Sequence, residues 1–131
     1  IDFTFAPIPR MRNTYFDTGD IKSEQEALEV LGTGIYAAGV GGGQTSGTGN
    51  FQFTTTRAYW VENGEIAYPL RDVTLAGNVM EFLKNIEAAT NDFKLTAGYF
   101  GGCGKRGQGP LPVGVGGPKL ILSEAQFGGQ A

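Results

Sequence analysis

The residues with the greatest chemical capacity gather around a single thiol. Cys103 is the sole cysteine among 131 residues and stands in "GGCGKRGQGPLPVG", residues 101 to 114, flanked by glycines and followed by Lys105 and Arg106. Glycine neighbours leave little steric cover over the sulfur, and adjacent cations favour thiolate over thiol. The thiolate is the form that binds a metal or attacks a carbonyl, whereas a free cysteine in an ordinary core is a small hydrophobe. The sequence contains no histidine. A Cys-His dyad, a Ser-His-Asp triad and a two-histidine zinc motif are therefore impossible within these residues. Packing and ligation remain the two readings of Cys103, and ligation requires donors from elsewhere.

Other candidate motifs are weaker. A phosphate-binding G-x-x-x-x-G-K-[ST] pattern would place glycine at Tyr99 and a hydroxyl at Arg106, so "GCGKRGQG" does not qualify. "GTGIYA", residues 32 to 37, matches G-x-G-x-x-A but follows a helical pattern rather than a strand. Glu62 with Glu65 and Asp72 with Asp92 are paired carboxylates near turns, where solvated surface is the simpler reading than acid-base catalysis. Phe51, Phe53, Tyr59 and Trp60 could line a groove, although packing is the commoner use of such residues.

These residues must be positioned by a small domain. With 40% hydrophobic and 18% charged residues, the chain has the composition of one compact unit. Its net charge of −3 argues against a nucleic-acid surface or an anionic membrane. No apolar run reaches the ~20 residues of a membrane-spanning helix. One cysteine and no signal pattern make a reducing cytoplasm the expected location. The opening "IDFTFAPIPR" lacks methionine and already reads as extended, which suggests a piece of a longer polypeptide.

Pro7 and Pro9 keep the first residues extended, and "RMRNTYF" continues as a strand or approach segment. Ser23-x-x-Glu26 is a capping box before Leu28, Leu31 and Gly32, which predicts a short helix. Within "GIYAAGVGGGQTSGTGN", residues 34 to 50, Ile35, Ala37 and a few neighbours read as strand before a glycine-dense loop, and "FQFTTTRAYWVE" reads as a strand whose apolar face is interrupted at Arg57. A bulge or a polar pocket would each account for that arginine. Asn63-Gly64 suits a type I′ hairpin turn, and Pro69 places its part of the returning strand at a sheet edge or end.

Asn78-x-x-Glu81 caps a second helix, with Val79, Phe82, Leu83, Ile86 and Ala89 as the main core-facing stripe. "NDFKLTAG" and "PKLILSEAQF" are further strands around a long glycine-rich connection, residues 98 to 118. The expected fold is α+β and β-rich: a mainly antiparallel, barrel-like sheet with two short helices and long glycine-rich loops. Such loops, in a chain with 22 glycines, suit close approach of a ligand backbone.

Taken in order, "RMRNTYF", "GIYAAGVGGGQ", "GNFQF", "AYWVENGEIAYPLRDVTLAGN", "NDF" and "GCGKRGQGPLPVGVGGPKL" carry a resemblance over nearly the whole chain. The sequence resembles the C-terminal domain of TldD-type members of the TldD/PmbA metalloprotease family, also called modulators of DNA gyrase. The "CGK-x-GQ" and "PVG" block is similar to the TldD rather than the PmbA (TldE) branch.

The resemblance implies that residues 1–131 form a single C-terminal domain, with an H-E-x-x-x-H zinc motif in an upstream portion. It implies Zn2+ as cofactor and Cys103 as a third metal ligand beside two histidines. The implied function is hydrolysis of unfolded or leader peptides, together with a PmbA/TldE-like partner subunit in a heterodimer. Binding of DNA gyrase or of DNA directly has only the family's second name behind it, and an acidic chain without a basic stripe gives it little support, so no direct nucleic-acid or membrane binding is expected. Gly41, Gly42, Gly43 and Gln44, with Gly102, Gly104 and Lys105, are the expected border of a peptide channel, and the chain alone is expected to be inactive. The alternative is a non-catalytic, β-rich module that binds peptides or a subunit.

Overall fold

The computed structural model describes residues 3, 4, 6–97 and 103–130. After an extended approach segment, helix α1 (Glu24–Leu31) leads into three long strands: β1 (Gly34–Thr45), β2 (Asn50–Glu62) and β3 (Glu65–Asn78). A six-residue helix, α2 (Val79–Lys84), then precedes seven short strands. These are β4 (Ile86–Ala89), β5 (Lys94–Ala97), β6 (Cys103–Lys105), β7 (Gln108–Leu111), β8 (Gly114–Gly117), β9 (Leu120–Leu122) and β10 (Gln126–Gln130). The four-stranded sheet has order β1-β2-β3-β10, and β4-β9, β5-β8 and β6-β7 form antiparallel pairs. The fold is α+β and mostly antiparallel, as expected, but the described strands do not close into a barrel.

Local chemistry sets several boundaries. The Ser23 hydroxyl accepts the Glu26 amide at 3.1 Å, and the Glu26 carboxylate accepts the Lys22 amide at 2.8 Å, which together satisfy the start of α1. Asn63 and Gly64 have φ values of 52° and 79°, and Glu62 faces Glu65 across the turn, which makes it type I′. Pro69 pairs with Tyr59 on one side, and β10 reaches β3 only from Arg71 onward, so the missing proline donor falls where no strand needs it.

Three expectations are corrected. The glycine run after Ala38 is strand, because β1 continues through Thr45 opposite Phe51 after a register shift between Val40 and Gly42. The α2 stripe is not the main core: the helix ends at Lys84, buries no residue, and leaves Val79 and Leu83 each 42% exposed. Ile86, Ala88 and Ala89 pair instead with Leu122, Ile121 and Leu120, since strand pairing satisfies their backbone as a longer helix would have done. Arg57 is exposed opposite Ala38 rather than in a buried pocket, and the β2-β3 pairing skips Thr55 to Arg57, opposite a stretch in which Asp72 has a φ of 52°.

The core is small. Ile21, Ala27 and Ile121 form its buried cluster with Ala88 against it, and Val61, Ala58 and Val73 are buried in the large sheet. Phe51 packs against Phe53 and edge-on against Phe82, with ring centroids 6.2 and 5.8 Å apart. Burial first, then the Glu24 carboxylate, pushes the Tyr36 phenol above its ordinary value.

Beside the core, Thr90 is 1% exposed; its hydroxyl donates to Asp92 and accepts the Lys119 amide at 2.9 Å. Lys119 also pairs with Asp92 and, at 3.7 Å, with Glu24 of α1. The Lys119 and then the Thr90 hydrogen bonds hold the Asp92 carboxyl below its ordinary value, and the bond to Asp92 holds the Lys119 ammonium above its own.

A carboxyl with a depressed folded value adds stability that is complete above its unfolded value and is lost as pH falls through the folded one. A raised lysine adds stability that is complete below its unfolded value and is lost as pH rises through the folded one. The pair therefore stabilises between the carboxylate and lysine ranges, modestly, because both groups are partly exposed. Urea unfolding at a series of pH values is expected to show Asp92→Asn losing part of the acid-side decline seen in the parent. Thr90→Val, which strands the Lys119 amide, is expected to cost about 1–3 kcal/mol at neutral pH.

Within β1, a Cβ at Gly43 would fall on the Gln52 carbonyl and the Phe53 ring, whereas at Gly42 it would meet nothing within 4 Å. Gly43→Ala is accordingly expected to destabilise by about 1–3 kcal/mol. Gly42→Ala should leave the thermal midpoint nearly unchanged.

Candidate functional site

Residues 103 to 117, expected within a loop, form a hairpin and a third strand. Arg106 and Gly107 carry φ values of 50° and 76° between Lys105 and its partner Gln108, giving a second type I′ turn. An arginine at a left-handed position hides this turn from sequence inspection, which looks for Asn or Gly there. The register shifts between Cys103 and Lys105, where Gly109 and Pro110 of β7 together oppose Gly104, an irregularity of bulge type. Cys103 is a free, half-buried cysteine opposite Leu111, and Gly104 and Lys105 are exposed.

The approach segment lies against this hairpin. The Arg10 guanidinium donates to the Cys103 carbonyl, to Gln108 Oε1 at 2.6 Å and to the Gly109 carbonyl at 3.3 Å. Lys105 Nζ donates to the Pro9 carbonyl at 3.0 Å, and Gln108 Nε2 to that of Ala6 at 3.4 Å. Farther along, Asn13 Oδ1 accepts the Gly114 amide at 2.6 Å, and Tyr15 packs edge-on against Phe93 at 5.0 Å between centroids. The Lys105 charge, read from sequence as a neighbour of the thiol, is thus engaged by the main chain of Pro9. Arg10 escaped sequence inspection because nothing local marks an arginine ~90 residues away as a partner of Cys103.

Gly41, Gly42, Gly43 and Gln44 are exposed on β1, the outermost strand of the four-stranded sheet. An edge strand of this kind has backbone donors and acceptors free for an added strand. The structure assigns these residues and the Cys103 hairpin to separate sheets. Gly102 lies outside the described residues. On the large sheet, Ile35, Trp60, Tyr68, Leu70 and Phe127 line an open groove of about 300 Å3, so Trp60 serves a groove while Phe51 and Phe53 serve packing. The carboxylates Glu62 and Glu65 face one another at an exposed turn, and Asp92 is taken up by Lys119.

Among the described residues no three His, Cys, Asp or Glu side chains converge to hold a metal. Cys103 offers one soft sulfur donor, whose chemistry suits zinc, but a tetrahedral site requires further protein donors. No helix among the described residues is long and apolar enough to cross a membrane.

Comparison with known proteins gives the chain a family. The profile of the PmbA/TldA metallopeptidase C-terminal domain matches residues 2–129. A metalloprotease from Methanothermobacter thermautotrophicus is 45% identical over 124 residues, covering 94% of this chain and 26% of that protein. A zinc metalloprotease TldD homolog from Saccharolobus solfataricus is 40% identical over 92% of this chain and 26% of its own length. A crystal structure from Thermotoga maritima, described as a candidate modulator of a DNA gyrase, superposes with a TM-score of 0.66 at 27% identity, over 88% of this chain and 24% of that one. The chain thus spans about a quarter of the length of these relatives. It belongs to the PmbA/TldD metallopeptidase family, whose C-terminal domain it matches from Asp2 to Gly129.

Proposed function

We propose that these residues form the C-terminal domain of a longer zinc metallopeptidase of TldD type and contribute Cys103 as one of its metal ligands. The observation that carries this reading is the placement of the sole thiol: half-buried on a bulged hairpin rather than sealed in the core, in a chain whose relatives are metalloproteases. Zinc with an open coordination position acidifies bound water and polarises a carbonyl, the chemistry that peptide hydrolysis requires. The remaining ligands are histidines outside this sequence, which itself has none.

Unfolded or leader peptides are the proposed substrates. An extended peptide adds to a free sheet edge through main-chain hydrogen bonds with little side-chain preference. Gly41 to Gln44 on β1 supply such an edge, and Gly104 and Lys105 flank the thiol on its hairpin. A cytoplasmic setting and a PmbA/TldE-like partner complete the reading.

A second reading, a peptide- or subunit-binding module with Cys103 merely packed, draws on the apolar groove around Trp60 and Phe127. The two differ in what the thiol does. In the full-length protein, Cys103→Ala is expected to lose most bound zinc and at least ~100-fold in hydrolysis of an unstructured peptide. The isolated chain is expected to show no peptidase activity. Undiminished zinc content and turnover in the alanine variant would sink the ligand role and leave the binding module.

A further inference from the structure

We infer that Arg10 is a positioning residue for the Cys103 sulfur, holding the main chain of the short, irregularly paired strand that carries it. The inference rests on the reading of Cys103 as a metal ligand. The β6-β7 pair is only three and four residues long, and its register shifts just after the cysteine, where two β7 residues oppose Gly104. A two-stranded hairpin of that size is marginal in water without outside support.

Arg10 supplies the support from 93 residues away in sequence. One planar guanidinium reaches the Cys103 carbonyl on one strand and both the Gln108 side chain and the Gly109 carbonyl on the other. It therefore bridges the two strands at the place where their own pairing is irregular. A guanidinium can do this because its donors form a rigid fork, whereas a lysine ammonium is a point charge on a flexible stem.

The arginine is itself held in place. Its Nε lies out of solvent with no hydrogen-bond partner among the described residues, so the group is seated by its Nη bonds and by the flanking chain. That chain is fixed in turn by Gln108 Nε2 on Ala6 and Lys105 Nζ on Pro9. Fixing the carbonyl of a ligating residue restricts the directions its side chain can take, and a metal ligand must be delivered within a narrow geometry.

The test uses the full-length protein and reads metal binding rather than turnover. Zinc affinity is measured by chelator competition, the cobalt-substituted protein is examined for its thiolate-to-cobalt charge-transfer absorption, and thermal unfolding checks the fold. Arg10→Gln is expected to weaken zinc binding by about 10- to 100-fold and to diminish the charge-transfer band, with the unfolding midpoint little changed. Arg10→Lys, which keeps the charge without the fork, is expected to recover only a minor part of that loss.

Wild-type zinc affinity and a full band in Arg10→Gln would overturn the inference, and so would full recovery in Arg10→Lys. If Arg10→Gln does not fold, Gln108→Leu decides, because it removes one arm of the contact. A severalfold weaker affinity with a reduced band supports positioning, and unchanged values refute it. Cys103→Ser separates this inference from the reading beneath it. If that variant retains zinc, the ligand role has failed. If it loses zinc while Arg10→Gln and Gln108→Leu do not, only the positioning role has failed.

Discussion

Thr90 is the point on which the smaller half of the domain depends. Its hydroxyl and main chain are engaged from three directions: the amide of Gly19 donates to its carbonyl at 2.9 Å, its own amide donates to Lys119 at 2.9 Å, and its side chain joins Lys119 to Asp92. Beside it Ile21 forms a parallel bridge and Asn91 donates to the Ile21 carbonyl at 2.7 Å. A core of Ile21, Ala27 and Ile121 is too small to specify the arrangement of these segments by packing alone. Satisfied polar groups in a dry position specify it instead, since any other arrangement would leave buried donors without acceptors.

The long sheet is organised differently. β2 and β3 are joined by a tight turn and pair along most of their length, so their register is set locally and carried outward to β1 and β10. α1 covers one part of this framework, with Glu24 acting on Tyr36. The groove at Trp60 and the outer edge of β1 remain open. Open apolar grooves and free strand edges of this kind are surfaces that a further protein segment or a ligand can cover.

The proposed chemistry follows the same pattern of incompleteness. One thiol is a metal donor but not a metal site, and the absence of histidine makes the dependence on other donors absolute within this sequence. What these residues contribute is placement. A short irregular hairpin is braced by a remote arginine, so that the sulfur is presented by a strand with a defined path rather than by an unsupported loop.

Features governed by short-range chemistry were legible in the sequence. The Ser23 cap, the Asn63-Gly64 turn and the start of α2 at Asn78 depend on side chains that bond backbone groups within a few residues, or on φ values that few residues tolerate. Cys103 was also legible as the chemically distinctive residue, because it is unique and no histidine competes for the role. The course of the glycine runs was not. Whether 39–45 and 103–117 are loop or strand is decided by partners such as Phe53 and Leu111, which sequence periodicity cannot identify when glycine has no side chain to alternate. The end of α2 at Lys84 was hidden for the same reason, since the stripe from Val79 to Ala89 fits a helix until β9 offers a better pairing. The sequence by itself determined the caps, the Asn-Gly turn and the identity of the thiol, through local sterics and composition. Only the tertiary structure decided that Arg10 meets Cys103 and that Thr90 joins Lys119 to Asp92, because those contacts exist only once distant segments have paired.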